Sequence, residues 1–94
     1  MGWRVVQQPD GKFAIFSEVS DGFVCVAGSE EEMREEVRER LLREFDVDSI
    51  VERKMNAAKS NLGRWDEAIG IIRSVGDDPE SQLAEIEELT GIKV

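Results

Sequence analysis

Val51, Met55, Ala58, Leu62, Trp65, Ile69 and Ile72 follow one another at alternating steps of four and three residues. Such a spacing sets all seven side chains along one seam of a helix. The pattern predicts a long helix over residues 49–75, about 40 Å at the usual rise per residue. A rod of that length needs cover, from the rest of this chain or from a second copy. Gly63 lies inside it and leaves two readings open. Either the helix runs through, or Asn61-Leu62-Gly63 ends one helix and another starts near Arg64. The ladder stays in phase across the glycine, which favours continuity.

Ahead of the ladder the period is that of strands. Three are predicted within residues 3–27: Trp3 to Gln8, Phe13 to Val19 and Phe23 to Ala27. Pro9-Asp10-Gly11-Lys12 and Ser20-Asp21-Gly22 are turn sequences, in which Pro presets φ and Gly supplies a positive φ. In the second strand Phe13, Ile15, Ser17 and Val19 share one face, and Ala14, Phe16 and Glu18 the other. Short turns between consecutive strands favour an antiparallel meander, one face packed on helices and the other partly wet.

Two more helices flank the ladder. Ser29 with Glu32 is a capping box opening a helix over residues 29–45, with Met33, Val37, Leu41 and Phe45 as its stripe, widened by Leu42. Glu36–Arg40 and Glu39–Arg43 are spaced as i,i+4 pairs on its solvated side. Ser49 with Glu52 is a second capping box, at the start of the ladder. Gly76 closes the ladder helix, and Asp78 caps a last helix over residues 78–90 with Pro79 at its first position. Leu83, Ala84, Ile86, Leu89 and Ile92 supply its apolar side, and Gly91 ends it. The expected architecture is a single α+β domain spanning residues 1–94, a three-stranded meander followed by three helices with the middle one long.

Composition limits what such a domain does. With 40% hydrophobic and 35% charged residues the chain is rich in charge yet apolar enough to fold. Its net charge is −9, which disfavours direct binding of nucleic acid or of anionic membranes and complements a basic partner surface. Residues 28–46 hold eight acids and four bases, and residues 77–94 six acids and one base, whereas residues 47–76 are near balance. The outer helices are thus the acidic ones. Glu30, Glu31, Glu35, Glu80, Glu87 and Glu88 form a candidate acidic face aimed at a basic partner, with two solvated outer faces as the plainer reading.

Catalytic chemistry has few candidates. The chain has no His and no Tyr, and its one cysteine, Cys25, alternates with Phe23 and Ala27 as a small core residue would. A lone cysteine makes neither an intrachain disulfide nor a zinc site. The acidic clusters at 30–32 and 77–78 sit at helix starts, where the dipole favours them, and Asp46-Val47-Asp48 lacks the further ligands of a calcium loop. No phosphate-cradling glycine pattern occurs. No catalytic residue, metal or cofactor is expected. No leader or membrane span stands out, so the expected setting is the cytoplasm.

Trp3-Arg4-Val5-Val6-x-Gln8-Pro9-Asp10-Gly11-Lys12-Phe13-Ala14-x-Phe16-Ser17, with Val19-x-Asp21-x-Phe23, resembles the opening of small accessory proteins encoded by bacteriophages and other mobile elements. The resemblance implies a bacterial or phage-infected host and an accessory role, and carries no site residues. Two non-catalytic roles follow. One is an acidic module that binds and modulates a macromolecular partner with a basic or nucleic-acid-binding surface, in the manner of phage anti-defence or DNA-mimic inhibitors. The other is a homodimeric scaffold paired through the ladder, in which Trp65 reads either as a core anchor inside the helical layer or as an interface hot spot.

Overall fold

Val5 and Val6 are both buried, and so are Phe13, Ala14, Ile15 and Phe16 in succession. Neighbouring strand residues point to opposite faces, so consecutive burial requires a sheet covered on both sides. The structure, a computed structural model describing residues 2–41 and 46–94, has this arrangement. Strands β1 (Trp3–Gln7), β2 (Phe13–Ser17) and β3 (Gly22–Gly28) form an antiparallel sheet in that order. Among the described residues four helices follow: α1 (Glu30–Arg40), α2 (Val47–Ser60), α3 (Gly63–Val75) and α4 (Pro79–Thr90). Val5, Phe13 and Ile15 pack against α1 and α2 on one face. Val6, Ala14 and Phe16 pack against α3 and α4 on the other. The partly wet second face expected from the turns is therefore absent.

The long helix is corrected as well, and with it the helix count. Ser60 ends α2, Asn61 leaves helical geometry with φ −129° and ψ 74°, and α3 starts at Gly63. A straight rod would cover one face of the sheet only. The break carries the chain to the other face, where Trp65, Ile69 and Ile72 join the second core while Val51, Met55 and Ala58 remain in the first. Leu62, in the connection, is 63% exposed. The in-phase spacing survives because a two-residue link happens to preserve it.

The turns and caps follow local chemistry. Gly11 sits at φ +88°, and Gln8 closes its hairpin by donating N–H to the Lys12 carbonyl at 2.8 Å. Ser29 and Glu32 form the full capping box of α1. Asp78 caps α4 with Pro79 at its first position, and Gly91 ends it at φ +73°. Gly76 ends α3 in extended backbone, and its lack of Cβ matters for space: a Cβ there would meet the Ile72 carbonyl oxygen at 2.6 Å. The Ser49 capping box does not form. α2 begins at Val47 after Asp46 in the left-handed region, so Ser49 lies within the helix. Val19, expected as the last residue of the second strand, stands 84% exposed in the following turn. On α4, Ala84 and Leu89 are exposed rather than packed. The expected end of the first helix, with Leu42 and Phe45, and the Glu39–Arg43 pair lie outside the described residues.

Helices α1 and α2 run antiparallel, held by Lys59–Glu30 at 2.5 Å, Arg34–Glu52 and Arg38–Asp48 at 2.9 Å. Arg34 also bonds Glu30 one turn away. The i,i+4 pairing expected between Glu36 and Arg40 is not among the ion pairs of the described residues; the Arg40 guanidinium lies 5.8 Å from the Trp3 ring centre instead.

Candidate functional site

The two edges of the sheet differ. On β1, Gly2 accepts from Glu18 N–H and Gln8 donates to Lys12, so the even-numbered residues pair inward and Val5 turns its carbonyl outward. Arg64 of α3 donates to that carbonyl at 3.3 Å. The edge of β1 is thus partly capped by the helix that crosses it.

The outer edge of β3 has no strand neighbour among the described residues. It lies between α1 on one face and α4 on the other. Its register against β2 slips twice, between Phe13 and Ile15 and again between Ile15 and Phe16. Ala27 takes a left-handed conformation at φ +61°. Bulges of this kind bend an edge away from continuous pairing and disfavour addition of a further regular strand.

What the bent edge leaves is two grooves. The one between β3 and α4 has a volume of about 480 Å³. Phe23, Ile72 and Ile86 floor it. Val24 and Leu89, 47% and 59% exposed, form apolar lips beside it. Glu85 supplies charge, and the Gln82 side-chain oxygen is buried with no hydrogen-bond partner among the described residues. An orphaned buried acceptor carries an energetic penalty of about 1–3 kcal/mol that a donor from outside would relieve. The second groove, about 340 Å³, lies between β3 and α1 and is walled by Glu32, Glu35, Glu36 and Glu39. Cys25 separates the two, half-buried, with burial pushing its thiol above the ordinary value. The β3 edge therefore has an apolar slot carrying Glu85 on its α4 side and a groove walled by glutamates on its α1 side.

The expected site residues are distributed differently. Val51, Met55, Ala58, Trp65, Ile69 and Ile72 are buried inside this chain, on two opposite faces of the sheet, and only Leu62 of the ladder is exposed. Trp65 packs on Phe23 with ring centres 5.1 Å apart. The six glutamates of the candidate acidic face belong to helices on opposite sides of the sheet. Glu35 lines the α1 groove. Glu30 turns toward α2, where the bond from Lys59 holds its carboxyl below the ordinary value. Glu87 accepts the Val94 N–H at 3.0 Å. Glu31, Glu80 and Glu88 are exposed. From the sequence Glu32 is a capping residue and Glu36 and Glu39 are ion-pair partners on a solvated side, and none is a groove residue, although their four-three spacing on one helix is legible. Val24, Gln82 and Glu85 had no such signal, because their grouping depends on packing across the sheet.

Among the described residues no three His, Cys, Asp or Glu side chains converge as metal ligands would, and no helix is long and apolar enough to cross a membrane. The chain matches no protein-family model, no curated protein and no solved structure.

Proposed function

We propose that this chain is a non-catalytic binding module that takes a basic segment of a partner protein into the slot beside β3. The segment inserts an apolar side chain between Val24 and Leu89 and sets lysines or arginines against Glu85 on one side and the α1 glutamates on the other. The observation that carries this reading is the apolar groove with an unpartnered Gln82 acceptor and Glu85 on its wall, next to a second groove walled by glutamates, in a chain of net charge −9. Charge complementarity of this kind governs encounter and specificity, and apolar anchors supply the affinity. A basic segment of a nucleic-acid-binding protein has the required chemistry, in keeping with a phage-type accessory role. The alternative of a homodimer paired through the ladder loses its seam, since the chain's own sheet occupies it.

The test is fluorescence anisotropy with a labelled peptide carrying one leucine flanked by lysines. Saturable binding that weakens steeply with salt and is lost in Glu85→Lys and Leu89→Asp is expected. Binding that is absent, or indifferent to both substitutions, would remove the reading.

A further inference from the structure

The opposite edge of the sheet carries a concentration of positive charge unusual for so acidic a chain. Arg4 of β1, Arg53 and Lys54 of α2 and Arg64 of α3 line one groove of about 290 Å³, with Val5 and Ile50 as its apolar floor. Glu18 neutralises Arg4. Arg53, Lys54 and Arg64 have no ion-pair partner among the described residues. The Arg64 side chain is anchored at one end by the Val5 carbonyl, and its Nε is buried with no hydrogen-bond partner among the described residues. Lys54 lies over the Trp3 ring, its Nζ 4.2 Å from the centre. Burial, and then the charges of Arg64 and Arg53, push the Lys54 ammonium below its ordinary pKa.

Like charges gathered from three elements repel one another. We propose that this groove is a binding site for a compact phosphate-class anion, such as a pyrophosphate or the phosphomonoester of a small metabolite. Arg4, Arg53, Lys54 and Arg64 together exceed what the nearby carboxylate of Glu18 balances and match a multiply charged anion. Arg53, Lys54 and Arg64 approach from α2 and α3, and arginine forks bind phosphate oxygens in pairs. A nucleic-acid backbone would have to approach a chain of net charge −9, which disfavours it. The site is independent of the slot beside β3, on the far edge of the sheet.

Titration of the full chain with sodium pyrophosphate at low ionic strength, followed by calorimetry and by tryptophan emission, tests the proposal. A 1:1 saturable isotherm is expected, with an emission change as the anion draws Lys54 from Trp3. Arg53→Gln, an exposed position on α2, should weaken binding by about tenfold, and Arg38→Gln, outside the groove, should leave it unchanged. Absence of saturation, or an Arg53→Gln isotherm equal to that of the parent, overturns the site. Citrate binding as tightly as pyrophosphate overturns the phosphate assignment, and duplex DNA binding more tightly overturns the compact-anion reading.

Discussion

The side-chain oxygen of Gln8 accepts the backbone N–H of Ala27 at 2.6 Å, linking the end of β1 to the bulged end of β3 across the intervening strand. Among the described residues Gln8 is the one buried polar side chain, 2% exposed, and its amide nitrogen donates to Asp10 at 3.1 Å. The first hairpin and the β3 bulge thus share one hydrogen-bonded residue. Gln8→Leu leaves the Ala27 N–H without its acceptor, and should lower stability by about 1–3 kcal/mol in urea unfolding. A loss under about 0.5 kcal/mol would show that water replaces the glutamine.

Ala27 itself holds a conformation that an L-residue adopts at a penalty of about 1–2 kcal/mol. Ala27→Gly removes that penalty and adds unfolded-state entropy, so a net gain of up to about 1 kcal/mol is expected. Paired with Gln8→Leu, it measures whether the bulge is imposed by the glutamine. If so, the gain in the double variant shrinks.

Glycines in α3 separate propensity from packing. Gly70 lies in the helix interior, exposed, with open space where a Cβ would stand. Gly70→Ala should raise stability by about 1 kcal/mol. Gly76→Ala drives a Cβ to 2.6 Å from the Ile72 carbonyl oxygen and 3.1 Å from the Gln82 side-chain oxygen. It should destabilise by about 1–3 kcal/mol, as strained substitutions do. Equal effects in thermal unfolding would contradict this account of the α3–α4 turn.

Much of the fold is legible in the sequence. Gly11, Ser29 with Glu32, Asp78 with Pro79 and Gly91 mark turn or helix boundaries by local chemistry, and the structure keeps each. The failures are non-local. Phe13-Ala14-Ile15-Phe16 is apolar on both faces, the sign of a sheet covered twice, and a doubly covered sheet cannot be served by one straight helix. The ladder spacing is blind to this, because periodicity reports which side of a helix is greasy and not which surface it meets. Ser49 with Glu52 matches a capping box as well as Ser29 with Glu32 does, yet the chain entering at Asp46 begins its helix two residues before Ser49. The slot beside β3 was the least legible, being made by bulges and by packing of α4 rather than by any run of residues.

Acid sensitivity should concentrate where α1 meets α2. The bond from Lys59 lowers the Glu30 pKa from its ordinary 4.5. A carboxylate so lowered contributes stability above its unfolded value, and that contribution is lost as pH falls through the folded one. Lys59→Met should therefore reduce the urea midpoint near neutral pH. The difference from the parent should close below about pH 4, where carboxyls take up protons. A difference independent of pH would assign the effect to the lysine stem packing on α1 rather than to its charge.

Leu62 and Met55 occupy equivalent rungs of the sequence ladder and opposite environments, one 63% exposed between α2 and α3, the other fully buried beneath α2. Truncating a buried methionine removes apolar contact and leaves a cavity, so Met55→Ala should cost about 2–5 kcal/mol. Leu62→Ala deletes a side chain that water already reaches, and should change stability by no more than about 0.5 kcal/mol. Had the helix run through Gly63 with its seam covered, the two truncations would be alike. Urea unfolding of both variants at several protein concentrations separates the cases. A large, concentration-dependent loss in Leu62→Ala would mean that the leucine is covered by a second copy and that the break between α2 and α3 is not the state in solution.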